Sequence, residues 1–544
     1  MNSLISLFIF ITFLGQAKLE NCSVPSKGSD NSPIACTESG IVRGAKGNNF
    51  PNVVFFKGRN EVDKKKFLIL DLGIPYAAPP VGVRRWKEPI SVENWDGIKN
   101  ATNWGQLCTQ TVNQDTTKVI GSEDCLFLNI FTTPDSIGKK ANPKPVYIWI
   151  HGGALSYGSS SAGAWDGEAM ASKGIIFVSI NYRLGLLGFF THPALREENP
   201  KLHGNYGLLD QIFAIKWVKN NIANFGGDPE RITVGGQSAG AISSLLLAFS
   251  PLASNLFKAV ISESSGAFYP DDPINWWMTP YTVQEAENVS LSHLESVNVK
   301  RDITVDKLRD VKVEQLYQQT WKLRRWRQIL DGYVIPLSFK EIMNEGLQNK
   351  VHVLMGFNYD EFGASPSNNV TLEQYKRSAA NNYRSLANEF MKLYPANDDS
   401  SATTATNNAI REYSIITQYM WGQLWLKNSK KCLYQFLWKH PLPGNENTVG
   451  TDHGAETVYF LNTVSKKLDE KELDLADKMS SYIVNFVKKH NPNGGQLPKW
   501  PKQNCKKDIV MSLGDSFGEI PLAANNLDKK IDFIKRNFAL KNIL

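Results

Sequence analysis

The segment Gly236–Gly240, Gly-Gln-Ser-Ala-Gly, has the residue types and spacing of a serine nucleophile. A β-branched run ends at Val234 just before it, and a helix-forming run begins at Ala241 just after it. A tight turn between a strand and a helix would expose Ser238 at a helix start, where the dipole favours developing negative charge. Such a turn requires small residues around the serine, and Gly236, Ala239 and Gly240 are small. The pattern predicts that Ser238 attacks a carbonyl carbon.

The same pattern occurs a second time, as Gly514-Asp-Ser516-Phe-Gly518. In a chain of this length, roughly 0.2 matches are expected by chance, so the pattern alone is weak. Context separates the two. The residues after Gly518 include Pro521 and do not open a good helix, and little chain remains to supply partners. Ser516 is therefore predicted to lie in a surface turn.

A second motif, His151-Gly152-Gly153-Ala154, follows the apolar run Tyr147-Ile-Trp-Ile. Backbone N–H groups aimed at a developing oxyanion can lower the barrier to acyl transfer by roughly 3 kcal/mol each. Glycines let the backbone come close to a substrate without a side-chain clash. An ordinary loop between a strand and a helix is the alternative. Together with the Ser238 segment, the motif indicates oxyanion donors.

The elements that must position these motifs are apolar, β-branched runs without clean alternation, as in strands buried on both faces. The runs are Pro145–Ile150, Gly174–Ile180, Arg231–Val234, Lys258–Ser262, Val351–Phe357, Leu433–Trp438 and Asp508–Leu513. Helical patterns lie between them, for example Leu208–Ile222. Alternating strands and helices predict an α/β fold with a mostly parallel sheet and ligands at the carboxyl edge of its strands.

No Pro/Gly-rich linker divides the chain, and long stretches such as Trp276–Arg327 have the look of helical insertions. We therefore expect a single domain over residues 18–544. The segment Asp398–Asn408, rich in Ser, Thr, Ala and Asn, is predicted to be a surface turn.

The composition is that of a folded protein, with 42% hydrophobic and 21% charged residues among 544. A net charge of +7, from 60 Lys+Arg and 53 Asp+Glu, is not the footprint of a nucleic-acid binder. Residues 1–17 resemble a signal peptide, with an apolar stretch at Leu4–Leu14 and small residues at Gly15 and Ala17. No later run is long and apolar enough for a membrane anchor. We expect a secreted, extracellular protein.

Cysteines and sequons fit an oxidising compartment. The even number of cysteines predicts disulfides, and short loops favour Cys22–Cys36, Cys108–Cys125 and Cys432–Cys505, although other pairings stay open. The candidate glycosylation sites are Asn21, Asn100, Asn288 and Asn369.

Taken together, the motifs resemble the type-B carboxylesterase/lipase family of α/β-hydrolases, which includes cholinesterases, juvenile hormone esterases and fungal lipases. The resemblance covers nearly all of the chain after residue 17. Its motifs are Leu72-Gly-Ile-Pro-Tyr-Ala-Ala-Pro-Pro-Val-Gly, Ser122-Glu-Asp-Cys-Leu-Phe-Leu-Asn-Ile, His151-Gly-Gly-Ala, Asn181-Tyr-Arg-Leu-Gly, Gly204-Asn-Tyr-Gly-Leu-Leu-Asp-Gln, Phe225-Gly-Gly-Asp-Pro, Gly236-Gln-Ser-Ala-Gly and His453-Gly.

The resemblance implies a triad in the order Ser, Glu, His. Glu361, after the run Val351–Phe357, matches the family's acid, but Phe362 stands where the family usually has Gly, which leaves Asp360 as the alternative. His453 in Gly450-Thr-Asp-His-Gly matches the family's base. His440, before a proline, and His490, at a predicted helix end, are expected to be structural.

The resemblance also implies roles for other residues. Gly153, Ala154 and Ala239 would supply the oxyanion hydrogen bonds, and the methyl group of Ala154, where many relatives have Gly, would disfavour bulky esters. Two internal ion pairs, Arg85–Glu123 and Arg183–Asp210, and the Cys108–Cys125 disulfide match the family. No metal or cofactor is expected, since no metal-binding motif occurs.

The substrate is predicted to be a small-molecule or lipid ester that is not cationic. The Cys108–Cys125 loop lacks the Trp with which cholinesterases bind choline, and Gln237 replaces their acidic residue before the nucleophile, as in juvenile hormone esterases. Trp276, Trp277, Trp321 and Trp326 are candidates for an acyl-chain site or for the core. The expected function is hydrolysis of carboxylic esters by a monomer or homodimer. A lipase and a catalytically silent, cholinesterase-like binding protein are the alternatives.

Overall fold

The structure is a computed structural model. It describes residues 32–46, 54–56, 73–102, 104–112, 118–138, 142–161, 165–265, 279–318, 326–465, 468–503 and 508–540. Several residues singled out above lie outside these ranges: the predicted signal peptide, Asn21, Cys22, Trp276, Trp277, Trp321 and Cys505.

One 12-stranded sheet dominates the described part of the chain. Its strands, in spatial order, are Gly518–Pro521, Ile509–Leu513, Leu433–Trp438, His352–Asn358, Ala259–Glu263, Gly227–Gln237, Lys144–Ile150, Ile176–Ile180, Phe127–Thr132, Val54–Phe56 and Ala45–Lys46, with Ile74–Pro75 also paired to Phe127–Thr132. The seven strands from Ile509–Leu513 to Ile176–Ile180 run parallel, and the outer strands are antiparallel. These parallel strands are the seven apolar runs, so the predicted α/β fold with a mostly parallel sheet is confirmed.

The central strands bury side chains on both faces. In strand Lys144–Ile150, the side chains of Val146, Ile148 and Ile150 join one apolar core, and those of Tyr147 and Trp149 join the other. This alternation is the two-residue period of a strand with a helical layer on each face. Both layers hold the sheet rigid, and its carboxyl edge can therefore support loops with fixed geometry.

Helices connect the strands and cover the sheet. The α-helices are Glu168–Ser172, Gly185–Phe189, Pro193–Glu198, Tyr206–Asn221, Ala239–Phe249, Val283–Ser296, Val305–Asp310, Val313–Leu316, Phe339–Glu345, Leu372–Tyr383, Ala387–Leu393, Asp399–Asn428, Thr457–Phe460, Glu470–Lys489 and Leu527–Leu540. Outside the main sheet, one three-stranded sheet consists of Ile34–Thr37, Gly40–Arg43 and Ile98–Asn100. Two strand pairs are Gln110–Thr111 with Val119–Ile120, and Tyr281–Thr282 with Ile329–Leu330.

The segment 398–408 is not a surface turn, and that prediction is wrong. It begins the 30-residue helix Asp399–Asn428. The Asp398 carboxylate accepts a hydrogen bond from the Ser401 N–H at 2.7 Å and caps the helix. Ala402, Ala405 and Ala409 are buried along one face. Their helical spacing was hidden by the many polar residues between them.

The cysteines only partly follow the predicted pairing. Cys108 and Cys125 form a disulfide. Cys36 is also disulfide-bonded, while its predicted partner, Cys22, lies outside the described residues. Cys432 has a free thiol, which corrects the predicted bond between Cys432 and Cys505.

Three of the four candidate glycosylation sites lie among the described residues. Asn288 and Asn369 are exposed, and Asn100 is half-buried. In the ranges that the structure describes, no helix has the length and apolar character needed to cross a bilayer.

Candidate active site

Ser238 lies at the sharp turn between strand Gly227–Gln237 and helix Ala239–Phe249. Its backbone has φ 57° and ψ −124°, a conformation that L-residues rarely adopt. The Ser238 N–H donates to the Glu263 carbonyl at 2.9 Å, which ties the turn to the next strand. The turn therefore presents the hydroxyl at the carboxyl edge of the sheet.

The glycines around Ser238 are required by close packing. A Cβ atom on Gly236 or Gly240 would lie 2.1 Å or 2.0 Å from the Ile150 carbonyl oxygen. The turn thus packs directly against the end of strand Lys144–Ile150, where the His151–Ala154 motif begins. A larger residue at either position would push these two segments apart.

His453 joins the serine to an acid. Its Nε2 atom lies 2.8 Å from Ser238 Oγ, and its Nδ1 atom lies 3.0 Å from Glu361 Oε1. The Glu361 side chain is 1% exposed, whereas that of His453 is 49% exposed. The three predicted side chains therefore form one chain of contacts that runs from a buried carboxylate to an accessible hydroxyl.

Of the two candidate acids, the structure brings Glu361 and not Asp360 to the imidazole. Phe362 adopts a left-handed conformation, φ 59°, and so accommodates without glycine the turn that follows Glu361. The other two histidines lie elsewhere. His440 contacts Asp515 and Glu472, and His490 stacks on His352 with ring centroids 4.4 Å apart.

The electrostatics favour a charged imidazole. Burial lowers the pKa of His453, but the hydrogen bond and charge of Glu361, with the charges of Glu456 and Asp452, raise it to about 9. The imidazolium that forms when a serine proton is transferred would therefore be well stabilised.

A second buried acid lies behind the first. Glu456 accepts hydrogen bonds from Ser264 Oγ and Asn358 Nδ2, each at 2.6 Å. Burial, with the charge of Glu361, raises its pKa to about 7. Sequence reasoning missed Glu456, because its partners are distant along the chain and no local motif marks it.

Gln237 also contacts the imidazole. Its Nε2 atom lies 3.3 Å from His453 Nε2. The sequence drew attention to this residue for its lack of charge, and the structure adds that a neutral amide stands beside the base.

The predicted oxyanion donors lie on two adjoining segments. The N–H groups of Gly153, Ala154 and Ala239 donate to no atom of the described part of the chain. Gly153 has φ 106°, and a Cβ there would be 1.9 Å from the Tyr157 carbonyl oxygen. Ala154 is left-handed at φ 51°. The motif thus adopts a compact turn against Ser238, with free N–H groups on its backbone.

His151 supports this turn. Its Nδ1 atom lies 2.8 Å from the Gly152 carbonyl oxygen, its ring stacks on Tyr182, and the Tyr182 hydroxyl donates to the His151 carbonyl at 2.9 Å. Burial lowers the pKa of His151 to about 4, so that the ring is neutral. His151 is therefore a packing residue of the motif.

The predicted ion pairs are both present. Arg85 bonds Glu123 through Nε at 2.7 Å and Nη2 at 2.5 Å. Arg183 bonds Asp210 through Nε and Nη2, both at 2.7 Å. Both pairs are bidentate and largely buried, so loss of one partner would leave an uncompensated charge. Trp326, among the candidate acyl-site residues, packs in the core against Phe190 and His293.

The parallel sheet, the strand–turn–helix at Ser238 and the loops at the carboxyl edge define an α/β-hydrolase fold. A solved structure of PNB esterase agrees, with a TM-score of 0.72 and 25% identity over 92% of this chain and 99% of that chain.

The chain belongs to the carboxylesterase family, whose sequence model matches residues 56–531, and it is a carboxylic-ester hydrolase. It is 32% identical over 523 residues to fumonisin B1 esterase of Sphingopyxis macrogoltabida, covering 91% of this chain and 89% of that protein. It is 29% identical over 517 residues to liver carboxylesterase 1 of Oryctolagus cuniculus, covering 85% and 88%. The family resemblance predicted from the motifs is confirmed.

Proposed function

We propose that the protein is a secreted serine esterase that hydrolyses carboxylic esters through an acyl-enzyme on Ser238. The observation that carries this proposal is the line of contacts from Ser238 Oγ through His453 to Glu361, at 2.8 Å and 3.0 Å. It has the donor and acceptor order that a hydroxyl needs to become a nucleophile.

In the first half of the reaction, Ser238 Oγ attacks the ester carbonyl carbon while its proton passes to His453 Nε2. The carbonyl π electrons move to oxygen, and the N–H groups of Gly153, Ala154 and Ala239 stabilise the oxyanion. Glu361 orients the imidazolium. When the tetrahedral intermediate collapses, the C–O bond to the alcohol breaks, and His453 gives its proton to the leaving oxygen.

In the second half, water attacks the acyl carbon and gives a proton to His453 Nε2. The second tetrahedral intermediate collapses, the bond to Ser238 Oγ breaks, and the serine regains its proton from His453. The products are a carboxylic acid and an alcohol. No cofactor is needed, since every proton is handled by His453.

Uncharged esters are the preferred substrates in this proposal. The neutral Gln237 amide beside His453 argues against cationic esters, because it supplies no negative charge to attract them. Both a short-chain esterase and a lipase fit this chemistry, and the acyl-chain preference separates them.

Processing is part of the proposal. Residues 1–17 are removed as a signal peptide, residues 18–544 fold as one domain, and the exposed Asn288 and Asn369 accept glycans together with Asn21 and Asn100. The Cys108–Cys125 disulfide supports folding in an oxidising compartment.

The test is hydrolysis of 4-nitrophenyl acetate, butyrate, octanoate and palmitate by the secreted protein and by Ser238→Ala. We expect activity in the wild type and its loss in Ser238→Ala, with a fluorophosphonate probe mapped to Ser238 by mass spectrometry. A wild-type protein that is folded yet inert on all four esters, and that takes up no probe, would favour the silent binding protein. Retention of activity by Ser238→Ala would overturn the nucleophile assignment.

A further inference from the structure

Asp360 is the neighbour of the proposed triad acid, yet its side chain points away from the imidazole. The carboxylate is buried, with 6% of the side chain exposed, and its Oδ1 atom is in contact with Nη2 of Arg411. A buried carboxylate is costly unless it is paired and hydrogen-bonded. The groups that contact the Asp360 carboxylate therefore indicate its structural role.

Asp360 binds the loop that carries the base. Its Oδ2 atom accepts a hydrogen bond from the Thr451 N–H at 3.0 Å, and its own N–H donates to the Thr451 carbonyl at 3.1 Å. Thr451 stands two residues before His453. Asp360, directly before the proposed acid, thus binds both polar backbone groups of Thr451, two residues before the proposed base.

Gly450 lets this loop come close. It is left-handed at φ +68°, and a Cβ atom there would lie 2.3 Å from Asp360 Oδ2. The loop before His453 therefore lies directly against the Asp360 carboxylate. With a larger residue at position 450, the carboxylate would have to move away from Thr451.

Arg411 fixes the carboxylate from the other side. Its guanidinium lies over the ring of Tyr359, 4.1 Å from the centroid, and the Lys439 ammonium lies 4.9 Å from the same centroid. Arg411 belongs to the long helix Asp399–Asn428, so the carboxylate is anchored to a rigid element and not to a loop.

We propose that Asp360 is a positioning residue, which fixes His453 relative to Glu361 by holding Thr451, while Arg411 holds the Asp360 carboxylate. This inference rests on the proposed role of His453 as the base. A misplacement of about 1 Å in a reacting group can cost roughly 10²-fold in rate. Loss of this link therefore lowers the rate of the chemical step and leaves the binding of a small ester nearly unchanged.

The variants are Asp360→Ala, Asp360→Asn and, as a matched control, Glu412→Gln. Glu412 follows Arg411 on the same helix and forms a comparably buried ion pair with Lys530, away from both loops. We expect Asp360→Ala to lower kcat on 4-nitrophenyl butyrate by about 10- to 100-fold, with KM within about twofold. Asp360→Asn, which can still accept from Thr451, recovers part of the loss.

The pH profile separates positioning from mere stability. Glu361 raises the pKa of His453 through a hydrogen bond that a displaced loop would lengthen, so Asp360→Ala shifts the rising limb of kcat/KM to lower pH. Glu412→Gln lowers Tm but changes neither kcat nor this limb. Folded protein is quantified by circular dichroism for every variant.

Two results would overturn the proposal: folded Asp360→Ala with wild-type kcat and pH profile, or an equal loss of kcat in Glu412→Gln. The Ser238→Ala control keeps this outcome distinct from failure of the proposed function. If Ser238→Ala is inert and Asp360→Ala is fully active, the positioning role alone fails. If Ser238→Ala is active, the triad itself fails.

Discussion

Two regions of the molecule place a histidine among acids next to a Gly-x-Ser-x-Gly segment, and only one can activate a serine. At the first, His453 has Glu361 on one ring nitrogen and Ser238 on the other. At the second, His440 Nδ1 lies 2.6 Å from Asp515, and its Nε2 lies 3.2 Å from Glu472. Both nitrogens of His440 are taken by carboxylates, so neither can accept a proton from Ser516.

The secondary structure on either side of the two serines also differs. Ser238 stands between a strand and a helix, whereas Ser516 stands between the antiparallel strands Ile509–Leu513 and Gly518–Pro521. The Ser516 hydroxyl lies 3.2 Å from the Ser512 hydroxyl. The five-residue Gly-x-Ser-x-Gly pattern alone therefore does not identify a nucleophilic serine. What matters is the element that follows the serine and a base with one nitrogen free to face it.

The largest expected difference between the two regions is in the rate. Replacing His453 with Ala removes the proposed base, so we expect kcat to fall by at least about 10⁴-fold, whereas His440→Ala leaves kcat within about twofold. His440→Ala instead lowers Tm, because Asp515 and Glu472 lose a shared partner. Kinetics on 4-nitrophenyl butyrate and thermal unfolding check both. A comparable loss of kcat in folded His440→Ala would break the comparison.

The next effect concerns the turn itself. In Gly240→Ala, the new methyl group would lie 2.0 Å from the Ile150 carbonyl oxygen, so the turn must shift. We expect a loss of about 1–3 kcal/mol in the free energy of unfolding, with a clear fall in kcat. Gly494→Ala is the control, since its methyl would meet side-chain ends and no backbone atom: Lys489 Nζ at 3.0 Å and Asn485 Nδ2 at 3.1 Å. Urea unfolding that gives equal stabilities for both variants would contradict this.

A smaller effect appears in the pH profile. The proposed base would act only when neutral, so we expect kcat/KM to rise with pH as His453, with its pKa raised to about 9, loses its proton. Glu456→Gln removes one of the charges that raise this pKa and moves the rising limb to lower pH. His440→Ala leaves the limb in place. A shift of the limb to higher pH in Glu456→Gln would contradict the assignment.

The smallest expected effect is a change in stability, at Ala154 in the predicted oxyanion motif. Ala154 has φ 51°, which costs an alanine about 1 kcal/mol relative to glycine. Ala154→Gly should therefore raise the free energy of unfolding by up to about 1 kcal/mol, whereas Ala241→Gly, inside the following helix, lowers it. Hydrolysis of tertiary-alcohol esters by Ala154→Gly also tests whether the methyl group excludes bulky substrates. Unchanged activity would show that it does not.

Much of the sheet could be predicted because its strands are buried on both faces and therefore read as apolar runs. The Ser238 turn was equally predictable, since its strand, small residues and helix are consecutive. The segment 398–408 was misread, because capping by Asp398 and three buried alanines carry a helix that polar composition conceals. A sequence pattern predicts structure well where the stabilising contacts join residues that are close together along the chain.

The contacts of the acidic residues in the site were harder to predict from the sequence. Choosing between Glu361 and Asp360 needed the turn at Phe362, a non-glycine residue with positive φ. The Asp360–Arg411 pair and the Glu456–Ser264 bond join residues far apart along the chain, and no spacing rule connects them. Such contacts follow from the order of the strands, which one sequence does not state.

The order of these parts along the chain has a consequence during synthesis. A growing chain on the ribosome completes the predicted oxyanion motif and the Ser238 strand first, Glu361 later, and His453 last. The nascent polypeptide therefore carries Ser238 without His453 while the next 215 residues are added, and under the proposed mechanism it cannot hydrolyse esters during that interval. Under the proposed mechanism, titration with an active-site probe would thus count only folded chains that already contain His453.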